Sequence, residues 1–107
     1  MARLTTDVIV SAALRGAAGC GIFAAILRKG DERAGTIFVE VEKSPSEMRL
    51  LARQLNYENE YEWVCITGEG WVSHADIQDR LRREIEYDPD CWIVSVQDKE
   101  GRNIFAL

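Results

Sequence analysis

Cys20, Cys65, Cys91 and His74 have the ligand count of a Cys3His zinc site. Structural zinc sites recruit ligands as close pairs two to four residues apart, because one tight turn can then place two of them. Every gap here is long. Cys65 and Cys91 also lie in apolar runs, where a thiol serves as a small hydrophobe. Cys20, in Gly19-Cys20-Gly21, has room for a substrate, but it follows a predicted helix whose negative dipole end disfavours an attacking thiolate. His74 falls at a predicted helix start, as a surface residue. No Cys–His nucleophile pair is expected, and no catalytic residue is assigned.

The glycines between Gly16 and Gly21 follow a helix and precede a strand. Phosphate loops run the other way, from a strand into a helix whose free amides hold the anion. No cofactor is therefore expected.

Carboxylates are the stronger metal candidates. Glu84, Glu86, Asp88 and Asp90 surround a predicted helix C-terminus, where the dipole favours cations. Such a broken local rule can mark a site for a hard divalent cation held by oxygens. The other reading is a solvated acidic turn neutralised by Arg80, Arg82 and Arg83. Glu58, Glu60 and Glu62 alternate with Tyr57, Tyr61 and Trp63 and, if extended, resemble the charged side of an edge strand. Trp71, beside Gly68-Glu69-Gly70, is an interaction candidate together with Tyr57 and Tyr61.

The elements that must carry these groups follow from hydrophobic spacing. Thr5 and Thr6 can cap a helix with the stripe Ile9, Val10, Ala13, Leu14 and Ala17, stopped at Gly19; a short strand Val8–Val10 is the alternative. Ile22–Leu27 is apolar on both faces, as in a strand covered on each side, and predicts a hairpin with the alternating Thr36–Lys43. Met48–Ala52 is either a strand or a helical turn. Tyr61–Thr67 forms a strand. Ser73 and Asp76 form a capping box for a helix bearing Ile77, Leu81 and Ile85, with Asp79 and Arg83 paired on its exposed side. Cys91–Val96 and Asn103–Leu107 predict a closing hairpin.

Length and composition bound the rest. A chain of 107 residues fits one domain, 1–107, and 47% hydrophobic with 29% charged residues is a folding composition. Residues 1–33 hold five basic and three acidic residues and the remainder eight and fifteen, so the net −5 gathers in the later part. No concentrated basic face is available for nucleic acid. The apolar stretch Val8–Leu27 contains Arg15 and three glycines, and Asp7 spoils a basic leader, so neither a membrane span nor a signal peptide is expected. An odd number of irregularly spaced cysteines argues against a disulfide framework and for a reducing cytoplasm.

The segments Ala2-Arg3-Leu4 through Ser11-Ala12-Ala13-Leu14-Arg15, Ala34-Gly35-Thr36-Ile37-Phe38-Val39, Arg83-Glu84-Ile85-Glu86-Tyr87-Asp88-Pro89-Asp90-Cys91-Trp92-Ile93-Val94 and Asp98-Lys99-Glu100-Gly101-Arg102 resemble the alphaproteobacterial domain of unknown function 1491. The likeness spans nearly the whole chain. It implies no established activity, so no functional residue carries over.

The expected fold is α+β: an antiparallel sheet of about four to six strands, a meander plus a C-terminal hairpin, with two helices in the order helix-strands-helix-strands. The expected role is a small non-enzymatic cytoplasmic binding protein that uses a sheet face or edge to hold a protein partner or a second copy of itself. The alternative is an enzyme or ligand-binding protein with a divalent cation on Glu84, Glu86, Asp88 and Asp90.

Overall fold

A computed structural model describes residues 4–107. The order is α1 (Thr6–Gly19), β1 (Phe23–Arg28), β2 (Ile37–Ser44), β3 (Glu47–Leu55), β4 (Tyr61–Cys65), α2 (His74–Tyr87), β5 (Trp92–Gln97) and a 3-10 turn, η1 (Ile104–Ala106). This is an α+β fold around one five-stranded sheet.

Alternation along the strands builds two cores, one on each sheet face. Ile37, Val39 and Val41 of β2 and Trp92, Val94 and Val96 of β5 pack under Val10 and Ala17 of α1 and Ile104 of η1. Phe38, Met48, Leu50, Ala52 and Ile93 on the opposite face pack under Ile77 and Leu81 of α2. Each such fully buried aliphatic side chain contributes roughly 1.5–3 kcal/mol. The central strands are therefore apolar on both sides and the helices on one.

The helices begin and end as their sequences dictate. Ser73 accepts from the Asp76 amide at 3.2 Å while the Asp76 carboxylate accepts from the Ser73 amide at 3.3 Å, closing the predicted capping box. Thr5 occupies the N-cap position of α1, but its hydroxyl donates to the Asp7 carboxylate instead of serving the helix amides. The strand alternative for Val8–Val10 is excluded, because those residues are helical.

The sheet is mixed, which corrects the antiparallel expectation. Its strand order is β1-β5-β2-β3-β4, with β2 and β5 parallel and all other neighbours antiparallel. A parallel pair needs a long crossover; here β3, β4 and α2 supply it. The hairpin expected between β1 and β2 does not form, because β5 lies between them. Trp92, Ile93, Val94 and Val96 are all buried. A strand this apolar hides more surface from water at the centre of a sheet than at its edge.

The segment joining β1 to β2 makes room for this insertion by passing against the start of β5. A Cβ on Gly30 would lie 2.2 Å from the Asp90 carbonyl oxygen, and one on Gly35 2.5 Å from the same atom. Only glycine permits such backbone approach. The segment is then latched: Asp31 N–H donates to Asp90 O at 2.9 Å, Trp92 N–H to Thr36 O at 2.8 Å, and the Trp92 indole N–H to Asp31 O at 2.7 Å.

Four more expectations are settled. Residues 47–55 are a strand despite their helix-forming side chains, because β2 and β4 pair with it on both edges. Met48, Leu50 and Ala52 do share one face. The terminal strand of the expected C-terminal hairpin is instead η1: the Asn103 carboxamide oxygen accepts from the Phe105 amide at 3.0 Å and starts a tight turn that buries Ile104. On α2, Asp79 pairs with Arg82 at 3.2 Å, not with Arg83.

Candidate interaction site

The strand expected to be covered on both faces is an edge strand. Among the described residues nothing pairs with the outer side of β1, and Phe23, Ile26 and Leu27 are 65%, 42% and 56% exposed. An unpaired strand offers a row of N–H and C=O groups to any extended chain, and natural edges are usually guarded by charge. The far edge is guarded in that way, by Glu60 and Glu62 beside and within β4. From Gly21 to Leu27 there is no charged residue at all. Arg28, at the end of β1, donates to the Pro89 carbonyl at 2.6 Å.

A groove runs beside this edge on the α2 face. It measures about 410 Å³ and is lined by Leu27, Leu81, Ile85 and Ile93 together with Arg28, Gln78 and Arg82. Phe23 stands on the same face, since it lies opposite Gln97 in a register that carries Ser95 to that side. The edge thus combines free backbone groups with apolar side chains and a depression to receive more of them. Sequence reasoning missed it because a doubly apolar strand reads alike at a sheet centre and at a bare edge. The signal available was the absence of charge.

The residues singled out for chemistry are dispersed. Cys20 is exposed at the end of α1, Cys65 is half-buried in β4, Cys91 is fully buried and all three thiols are free. Burial holds the Cys91 thiol above its ordinary pKa, which makes it a poor nucleophile. Among the described residues no three Cys, His, Asp or Glu side chains converge as metal ligands do. The acidic groups near the end of α2 are engaged locally: Glu84 binds Arg80 at 2.7 Å, and Asp88 accepts from the Asp90 amide at 3.2 Å, while Glu86 and Asp90 face solvent.

Glu84 and Asp88 border a second cleft, of about 570 Å³, between α2 and the ends of β2 and β3, with Arg53, Tyr61, Arg80 and Tyr87 on its walls. Its charged side chains already have partners. Arg80 donates to Glu84 and to the Ile66 carbonyl at 2.9 Å, and the Arg53 guanidinium lies 3.7 Å from the centre of the Tyr61 ring. Trp71 is likewise used internally: Lys43 and Arg49 lie 5.3 and 4.9 Å from its ring, and Gly101 packs against its edge. Tyr57 is fully exposed in the turn between β3 and β4.

Protein of unknown function DUF1491 matches residues 4–106. The chain belongs to this family. DUF1491 relatives with solved structures share its fold. A crystal structure of a DUF1491 family protein from Caulobacter crescentus CB15 is 33% identical, covering 96% of this chain and 94% of that one with a TM-score of 0.84. An NMR structure of a DUF1491 family protein from the same source is 31% identical, covering 97% and 94% with a TM-score of 0.83. A solution structure of an A. tumefaciens protein is 28% identical, covering 90% and 86% with a TM-score of 0.76. The comparison with curated proteins returned no match. The resemblance in the four sequence segments thus extends to the whole DUF1491 fold. Among the described residues no helix is long and apolar enough to cross a membrane.

Proposed function

We propose that the protein is a non-enzymatic binding module that takes an extended segment of a protein chain onto the open edge of β1. The observation that carries this reading is the contrast between the two edges of one sheet: β4 is flanked by carboxylates, whereas β1 carries no charge before Arg28 and exposes Phe23, Ile26 and Leu27. Strand addition draws affinity from main-chain hydrogen bonds and specificity from alternate side-chain pockets. The groove lined by Leu27, Leu81, Ile85 and Ile93 offers one such pocket. A cytoplasmic setting is in keeping with three free thiols, and a bacterial source with the Caulobacter and A. tumefaciens relatives.

Selection of random displayed peptides on the folded protein, with the bound site mapped by amide chemical shifts, tests this. Selected peptides perturb the amides of β1 and the groove, and Leu27→Lys abolishes their binding while preserving the fold. Peptides that map only elsewhere, or survive the lysine, overturn it.

A further inference from the structure

Resting on the strand-binding reading above, we propose that the segment β1 accepts is β1 of a second copy of this chain, in a two-fold dimer whose two sheets run on as one. Symmetry restricts the register. Residues opposed across an antiparallel pair are either both hydrogen-bonded across the gap or both turned from it. A two-fold pairing must therefore centre on a residue, not between two.

Side-chain chemistry then selects the centre. Centred on Ala25, the pairing opposes Ala24 to the partner's Ile26 and Phe23 to the partner's Leu27, which lies at the bulge between Ile26 and Arg28, so every large exposed side chain of β1 meets an apolar one. Centring on Ala24 wastes Leu27 on the partner's Gly21, and centring on Ile26 sets Phe23 against the partner's Lys29. Charge favours this edge over the other. A chain of net charge −5 can approach its copy along β1, which holds no carboxylate, whereas β4 would bring the rows carrying Glu60 and Glu62 together.

Area sets the strength. Counting about 200 Å² for each large side chain when fully exposed, Phe23, Ile26 and Leu27 offer roughly 300 Å² of apolar surface per copy. A standard stable interface buries about 800 Å² per partner. The strand backbone and the groove beside α2 make up part of the difference. The association is consequently weak and concentration-dependent.

Sedimentation equilibrium of the full chain between about 1 μM and 1 mM tests this, over the range where small interfaces associate. The expected mass rises from 12.1 kDa towards twice that value, and Leu27→Lys or Phe23→Lys holds it at the monomer with an unchanged circular dichroism spectrum. In a Cys20→Ser background, Ala25→Cys crosslinks to a dimer on mild oxidation, because opposed Cα atoms about 5 Å apart suit a disulfide. Ala24→Cys, offset from its own copy by two residues, does not. A mass that stays at the monomer, or a dimer indifferent to both lysines and lacking the Ala25→Cys crosslink, overturns the second copy as occupant. Selected peptides that still dock on β1 would then leave the strand-binding reading in place, and their absence would remove that as well.

Discussion

Glu40 faces Ser95 across the parallel pair of β2 and β5, where two of the most buried strands first turn polar. Glu40 is only 4% exposed, and the Gln78 carboxamide donates to it at 3.4 Å. Burial pushes its carboxyl pKa up, opposed by the neighbouring Ser95 hydroxyl, by His74 and by Gln78. A raised acid pKa means that the folded state binds the proton more tightly than the unfolded state, so stability falls as pH rises from about 4.5 through the folded pKa. Glu40→Gln is expected to raise the melting temperature at pH 8 and to have no benefit below pH about 4. Thermal unfolding across that range checks it.

Asp98 has the opposite dependence. Its carboxylate accepts from the Arg102 guanidinium at 2.8 Å and from the Arg102 amide at 2.9 Å, and that guanidinium is the main reason its pKa falls to about 2. The stabilisation is present above the ordinary value near 3.8 and is lost as pH drops towards about 2. Asp98→Asn should cost about 1–3 kcal/mol at pH 7. Denaturant titrations should show the gap to wild type closing at the acid end.

The two glycines at opposite extremes of crowding should respond with opposite sign. Gly30→Ala drives a Cβ into the Asp90 carbonyl and should destabilise by about 1–3 kcal/mol, by forcing the β1–β2 segment off β5. Gly16→Ala, inside α1 with nothing within 4 Å of the added methyl, should stabilise by about 0.5–1 kcal/mol. Urea midpoints of the two variants provide the comparison.

Removing the capping hydroxyl with Ser73→Ala should cost about 1 kcal/mol. The same change at Thr5, whose hydroxyl serves Asp7 and no helix amide, should cost less. Chemical denaturation of both resolves the difference.

Local patterns reached far in this chain, and their limit can be placed. The α2 stripe of Ile77, Leu81 and Ile85 and its Ser73–Asp76 box were readable because period and capping depend on residues within a few positions of one another. Residues 47–55 were not decided locally, since Met48, Leu50 and Leu51 suit a helix; hydrogen bonds to β2 and β4 made them a strand. The candidate site was the least legible feature. Ile22–Leu27 and Cys91–Val96 are both apolar runs, and only one of them could take the centre of the sheet.

The sequence by itself determined an α+β chain with two amphipathic helices and most of its strands, which depend on short-range spacing, and four of its segments carried the DUF1491 resemblance. Tertiary structure alone decided that β5 enters between β1 and β2, parallel to β2. That insertion leaves β1 at the rim with Phe23 and Leu27 in solvent. Hydrophobic burial rewards covering a strand without regard to its place in the chain. Which apolar strand stays uncovered is settled by competition among all of them at once.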